Sequence, residues 1–286
     1  MFRASALKMS ACAAVAAAGL WQAAAPVSAT ASPPPPRWII TQTAVGLLGS
    51  AGLTHAQLQT LFGNSRTYLS GGLTPPAPPV SGALRTVSFT SYRVMERQLA
   101  GSHLPAGTSA VIYDNEHWRF TPADEQRDPA KYEELAAKLA HAHHLVFISA
   151  PAVDLTEVLA PEQSDRYAAY LRLGLAASAA RHAGVIDIQA QGSETSLPTF
   201  TSFVEAAAAQ ARRANPHVIV LAGLSTNPSG QHVSSAQFTA AYNAVRAHVS
   251  GYWLNIPSHG AACPACGTPQ PKVAVPLLEM LARAGA

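Results

Sequence analysis

The segment Val111-Ile112-Tyr113-Asp114-Asn115-Glu116-His117-Trp118 starts as a buried strand and ends in two carboxylates, a histidine and a tryptophan. Side chains along a strand alternate between its faces, so Ile112, Asp114 and Glu116 share one side while Tyr113 and Asn115 take the other. A carboxylate that follows apolar residues on one face is costly to bury and belongs at the mouth of a core. The pattern recurs. Val185 to Gln191 sets Asp187, Gln189 and Gln191 against Ile186, Ile188 and Ala190. A strand from Val218 runs into Ser225, Thr226 and Asn227, and a last one places Trp253 and Asn255 on one face. Acids on separate strand ends suit hydrolysis of a glycosidic bond, which needs one carboxylic acid and a second carboxylate as nucleophile or base. Glu116, one step nearer solvent than Asp114, is the candidate acid. Asp187 is the candidate nucleophile, base or electrostatic stabiliser, with Glu194 in reserve. Asp114 would orient Glu116 or raise its pKa by like-charge repulsion. Gln189, Gln191, Asn227 and Asn255 would bind hydroxyl groups, and Trp253 or Trp118 would stack on a ring.

These residues must be positioned by strands that alternate with helices. The strand candidates are Trp38–Thr43, Thr86–Ser91, Ala110–Tyr113, Leu145–Ser149, Val185–Gln189, Val218–Leu221 and Tyr252–Ile256, with a weaker one at Arg66–Ser70. Asp128 and Pro129 mark a helix start before a run to His144, and Ser164 or Asp165 caps a run to His182 that Gly184 ends in left-handed geometry. Further helices are expected from Phe200 to Ala214, Ser235 to His248 and Val273 to Arg283. Seven or eight such units fit a (β/α)8-type parallel barrel whose active end is the C-terminal end of its strands. The N-terminal quarter is expected to be irregular or incomplete, because Gly71-Gly72 and four prolines between Thr74 and Pro79 leave no room for a helix before Arg85. Gly46, Gly49 and Gly52 do not form a dinucleotide fingerprint, and no cofactor is expected.

Of the 286 residues, 12% are charged and 48% hydrophobic, as in a well-buried globular chain. Arg3, Lys8, the apolar stretch Ala11–Ala25 and Val27-Ser28-Ala29 read as a secretory signal over residues 1–29, followed by a Pro-rich linker, 30–36, and a barrel domain, 37–286. The expected location is therefore outside the cell or in its envelope. A lipid anchor at Cys12 is disfavoured, since almost no apolar run precedes it. Removing Arg3 and Lys8 takes the net charge from +3 to about +1. No basic run survives, so nucleic acid is not an expected partner. A small-molecule or glycan ligand is, with no membrane span and a monomeric state. Cys263 and Cys266 of Cys-Pro-Ala-Cys are expected to form a local disulfide, with a zinc site or a redox dithiol as alternatives. No metal is assigned. His141, His143 and His144 read as a helix end, and Tyr167 with Tyr170 as helix packing.

The strand-end Asp114-Asn115-Glu116, the Asp187-Ile188-Gln189 strand and Trp253 on a final strand resemble secreted barrel glycosidases of the chitinase-like superfamily. The chain as a whole resembles a secreted actinobacterial-type protein. That resemblance implies a parallel barrel, with Glu116 as acid, Asp114 as its neighbour and Trp253 as floor of the sugar site. The chain departs from the family between Ser109 and Tyr113, where no Asp stands upstream of Asp114. Three other readings use the same residues. A non-catalytic carbohydrate-binding barrel needs only the pocket. A metal-dependent lyase or phosphodiesterase would use Asp114, Glu116 and Asp187 as oxygen ligands with His117 as acid or base. A carbocation cyclase would use acids and aromatics around an apolar substrate.

Overall fold

The structure, a computed structural model, describes residues 34–74 and 76–285. The expected signal segment 1–29 and the first part of the linker lie outside the described residues. From Arg37 onward the chain forms a closed barrel of eight parallel strands. The strands are β1 (Arg37–Thr41), β2 (Thr67–Gly71), β3 (Leu84–Phe89), β4 (Thr108–Tyr113), β5 (Val146–Ser149), β6 (Val185–Ile188), β7 (Ile219–Ser225) and β8 (Gly251–Asn255). Each pairs with the next, and β8 pairs with β1.

The helices follow the strands. Between β1 and β2 lie α1 (Gln42–Ser50) and α2 (His55–Phe62), and α3 (Tyr92–Ala100) follows β3. The short α4 (Ala123–Arg127) and the longer α5 (Pro129–Ala142) follow β4. After β5 come α6 (Thr156–Leu159), α7 (Arg166–Leu173) and α8 (Leu175–Ala180), then α9 (Leu197–Ala214) after β6, α10 (Ser235–Val245) after β7 and α11 (Val275–Arg283) after β8. Local chemistry explains the boundaries. The Thr41 hydroxyl accepts from the Ala44 amide at 3.0 Å, so β1 stops two residues before its expected end and α1 begins. Asp128 accepts from the Lys131 amide ahead of Pro129, as the sequence predicts. Ser234 and Gln237 form a reciprocal capping box that starts α10.

Two expectations need correction. The helix read as running from Asp165 to His182 is broken at Gly174, whose φ of 66° lets the chain turn between α7 and α8. Gly184 does not take left-handed geometry, while His144 does so at the end of α5, with φ 58°. The N-terminal quarter is irregular yet complete. Among the described residues no helix separates β2 from β3, and the β3–β4 register shifts at Arg85 and Thr86, but the ring of strands still closes.

Apolar packing has two compartments. Residues such as Ile40, Val111, Ile186 and Val220 face outward and meet the helices, where α9 contributes Phe200, Phe203, Val204, Ala207, Ala208 and Ala211 at helical spacing. Inside the barrel Ile39, Tyr68, Ala110, Ile112, Ile148, Val185 and Leu221 fill the lower layers. Ile112, Ile148 and Val185 stand level across β4, β5 and β6, so the next inward residues, Asp114, Ala150 and Asp187, also share a level. Polarity enters the barrel interior at this layer.

One buried acid outside the barrel offers a stability test. Glu133 on α5 is 1% exposed, and one of its oxygens accepts from Ser149 at 3.3 Å while the other has no partner. Burial pushes its carboxyl from the usual 4.5 up to about 8. Folding therefore favours the protonated form, and stability is lost as pH rises from the unfolded value through the folded one. Glu133→Gln supplies a permanent donor and acceptor of the same shape. Thermal melting should show the variant more stable by roughly 2–4 °C at pH 8 and little changed near pH 4.5. A difference independent of pH would mean that the carboxyl is not the source of the cost.

Candidate functional site

Beyond the last β4 residue the ladder continues. The Asp114 amide donates to Phe89 at 2.8 Å, and the Ala150 and Ala152 amides donate to Tyr113 and Asn115, each at 3.0 Å. The strand alternation thus extends to Glu116. Tyr113 and Asn115 turn outward and are anchored by a buried carboxylate, Glu125, at the N-terminal end of α4. The Tyr113 hydroxyl donates to Glu125 Oε2 at 2.9 Å, and Asn115 Nδ2 donates to the Glu125 carbonyl at 3.1 Å. Glu125 also accepts from Ser91 Oγ at 2.9 Å and from the Tyr92 amide at 2.6 Å, which fixes the start of α3. With 113 and 115 held outside, 114 and 116 must face in.

A cavity of about 390 Å³ opens at the C-terminal ends of β4 to β8. Its walls include Asp114, Glu116, Asp154, Gln189, Gln191 and Trp253. Trp118, Ser225, Asn255 and the Cys263–Cys266 pair also line it, and the two cysteines are joined as a disulfide with Cα atoms 5.4 Å apart. No Arg, Lys or His lines it among the described residues. A chain of amides organises one side. Gln189 Nε2 donates to Asp114 Oδ1 at 2.7 Å and to the Ala150 carbonyl at 2.8 Å. That leaves Gln189 Oε1 to accept from Gln191 Nε2 at 3.5 Å. Gln191 Oε1 is buried without a partner. Trp118 is steadied by Thr121, which accepts from its indole N–H at 2.9 Å.

The acids perturb one another. Burial raises Asp114 to about 7, and Asp154 adds to the rise while the hydrogen bond from Gln189 opposes it. Glu116 is raised well above the usual glutamate range by burial and by the charges of Asp114 and Asp154. Asp154 is raised by burial, while the His117 amide donates to it at 2.9 Å. The His117 ring turns outward to Glu157 at 3.2 Å, away from the cavity.

Of the residues singled out in the sequence, Asp114, Glu116, Trp118, Gln189, Gln191, Trp253 and Asn255 come together on the cavity walls. Asp187 does not. It is 1% exposed, with both oxygens unpartnered, and burial raises its pKa strongly. The Gln189 side chain leaves the same face two residues later and reaches the cavity, where it meets Asp114. Asn227 is also buried away from the cavity, where its Nδ2 donates to the Cys266 carbonyl at 2.5 Å and ties the disulfide loop to the end of β7. Glu194 accepts from the Ser225 amide at 2.7 Å and fixes the same strand end. Asp154 lines the cavity as well; the sequence places it in the loop beyond Ser149 among the polar strand ends but gives it no role. It sits in a 3₁₀ turn, Val153–Leu155, where strand alternation gives no signal. The disulfide as a wall was likewise not visible.

No protein-family model matches the chain, and no curated protein sequence matches it. Among solved structures, the carboxyl transferase domain of Rhizobium etli pyruvate carboxylase with pyruvate and biocytin is similar at 10% identity and a TM-score of 0.45. That match covers 87% of this chain and 47% of the carboxylase chain, so this protein spans about half of its length. Triosephosphate isomerase from Bartonella henselae is similar at 11% identity and a TM-score of 0.44, over 86% of this chain and 100% of the isomerase chain. The barrel here rests on its own strand pairing, and neither likeness assigns a substrate. No helix among the described residues is long and apolar enough to cross a membrane.

The cavity depends on a missing side chain. A Cβ on Gly223, an inward position of β7, would lie 2.1 Å from Gln191 Oε1. Gly223→Ala should push the Gln191 amide off Gln189 and free Gln189 to leave Asp114. Folding and melting should change by less than about 1.5 kcal/mol, because the clash falls on the far end of a flexible side chain. Ligand affinity at the cavity should drop at least about tenfold. Unchanged affinity in a folded variant would show that the amide chain is not needed.

Proposed function

We propose that this protein hydrolyses a glycosidic bond in a carbohydrate held at the mouth of the barrel. The observation that carries the reading is the Asp114–Glu116 pair, two carboxyls on one face at the wall of a cavity that also holds Trp118 and Trp253, where burial and neighbouring charge favour the protonated form of Glu116. A carboxyl that keeps its proton near neutral pH is what a leaving oxygen requires. Glu116 gives its proton to that oxygen as the bond to the anomeric carbon breaks. Asp154, the other carboxylate open to the cavity, takes the part of nucleophile or base. Water supplies the hydroxyl for the anomeric carbon, and its second proton returns to the acid pair. Asp187 has no access to the cavity and receives no step. Asp114 holds the Glu116 proton in place and spreads the charge that develops on the sugar. The tryptophans offer flat apolar faces to a ring, while Ser225, Asn255 and the two glutamines face its hydroxyls.

Export fits the same reading. The charged start, the apolar stretch and the Val27-Ser28-Ala29 site favour a mature protein beginning near Thr30, and the disulfide suits an oxidising compartment. Sequencing of the N-terminus in the native host checks it, and an intact Met1 form in the cytosol would refute it.

Glu116→Gln keeps shape and hydrogen bonding but removes the acid, so hydrolysis in a broad glycan screen should fall by about 10²–10⁴-fold. Equal rates in both proteins would remove Glu116 from the mechanism. Ligand binding without turnover in either would leave a binding barrel.

The pH profile tests the partner. Wild-type activity should fall on the alkaline side, along a limb displaced upward from the usual glutamate range, as Glu116 loses its proton. Asp114→Asn removes a negative neighbour, so that falling limb should move to lower pH. A limb that stays in place would mean that Asp114 does not tune the acid.

A further inference from the structure

Charge on this protein is sorted by the direction of the chain. Parallel strands in a closed barrel put all their starts on one rim, the base, and all their ends on the other, the mouth. Ten of the 16 Asp and Glu residues lie in the connections 114–128, 150–165 and 189–196, which leave strand ends at the mouth. The connections that return from a helix to the next strand are 63–66, 97–107, 139–145, 181–184, 212–218 and 246–250. They contain no Asp or Glu, yet they hold six Arg and seven of the 11 His residues. Arg37 and Arg85, at the starts of β1 and β3, bring the base to eight Arg. None of these side chains takes part in an ion pair among the described residues.

Helix chemistry accounts for only part of this rim. Cations at a helix C-terminus offset the partial negative charge of its last carbonyls, about half an elementary charge per helix. That covers Arg97 on α3, Arg181 after α8 and Arg213 on α9. It does not cover Arg37, Arg66 and Arg85, which stand at strand starts. Arg37 and Arg66 precede the paired Trp38 and Thr67 on neighbouring strands, so they enter the sheet side by side. Burial, and after it the charge of Arg37, hold Arg66 below the usual arginine range, as happens when no acid separates two cations. Arg97, Arg181, Arg213 and Arg246 are exposed, and so are His141, His143 and His144. Val146, 37% exposed at the start of β5, adds an apolar contact on the same rim.

The shape of the array selects its partner. A linear polyanion is tracked by a groove of cations along its backbone. Here the cations come from strand starts all round the barrel, from Arg37 at β1 to Arg246 ahead of β8, which suits a plane of negative charge. The chain also enters the barrel at this rim, so the apolar residues 11–25 proposed above as part of an export signal are joined to the basic end. We infer that the base is a docking face for an anionic lipid bilayer, on which the exported protein lies with its cavity facing away. Basic residues near such a surface are held by the negative potential of its headgroups, and no spanning helix is needed. The sequence shows no basic run because the barrel assembles the face from single residues far apart in the chain.

The test is co-sedimentation with vesicles, using protein purified from its native host in the form present there. One vesicle is an equal mixture of phosphatidylglycerol and phosphatidylcholine, the other phosphatidylcholine alone. At about 0.05 M salt, partition onto the anionic vesicles should exceed that onto the neutral ones at least about thirtyfold, and it should collapse by about 0.5 M. The variant R97Q, R181Q, R213Q, R246Q should lose at least about tenfold of the anionic partition. A charge-matched variant, R119Q, R127Q, K131Q, K272Q, removes four exposed cations from the mouth side and should stay within about twofold of the wild type. The lipid and salt comparisons use the wild type, so they hold whatever the folding of the variants. Equal losses in the two variants would overturn the inference, since net charge alone would then explain the binding. Equal partition onto neutral vesicles, or none onto anionic ones, would overturn it too. Capture by soluble polyphosphate without capture by vesicles would assign the face to a polymer instead.

Discussion

The site is held in place by a residue that never touches it. Glu125 is fully buried, and its carboxylate collects four donors: the Ser91 and Tyr113 hydroxyls and the amides of Tyr92 and Arg93. A buried carboxylate is tolerated only when so compensated, and removing it would leave those donors empty. Through it the end of β3, the start of α3, the short α4 and the exit of β4 become one body. Asn115 joins by donating to both the Glu125 carbonyl and the Tyr113 hydroxyl. Strand alternation then leaves Asp114 and Glu116 no choice of face. The acids in the cavity can be poorly compensated because the acid behind them is fully compensated.

That division explains what could be read from the sequence. The alternation at 111–116 and 185–191 is a property of the backbone, so the inward faces, the parallel barrel and the assembly of Asp114, Glu116, Gln189, Gln191, Trp253 and Asn255 at one end were legible. Depth along an inward face was not. Asp187 lies on the expected face but one step deeper than Gln189, at 1% exposure, and alternation alone does not say how far along a face the cavity reaches. Asn227 and Glu194 follow strand ends, yet their partners, Cys266 and Ser225, come from other segments. Glu125 gave no signal, because Asp124-Glu125 at a helix start reads as an ordinary charged first turn. Gly174 was passed over for Gly184, since the sequence does not say which glycine interrupts a run of helix formers.

The disulfide loop belongs to the same scheme. Cys263 and Cys266 lie on the cavity wall, and their loop is pinned by Asn227 to β7 and by the His259 amide to Gly267 at 2.6 Å. The segment from Gly260 to Gly267, with Pro264 between two glycines, offers little apolar surface to bury, so a covalent link and two hydrogen bonds replace packing. The alternatives for the cysteine pair thus resolve to a structural link.

Side-chain volume accounts for the cavity. The lower interior is filled by Ile39, Tyr68, Ile112, Ile148, Val185 and Leu221. One layer higher the inward positions shrink to Ala150 and Ala152 on β5 and its extension, and to Gly223 and Ser225 on β7, while the large residues are polar or are Trp253. Small residues there remove packing that a barrel serving only its own stability would keep. Around that gap some buried polar atoms were left without partners, namely Gln191 Oε1 and both Asp187 oxygens. A self-sufficient hydrogen-bond network would close on itself, because each orphaned group costs about 1–3 kcal/mol. Here the hollow and the orphans share one end of the barrel, and neither serves the stability of the fold.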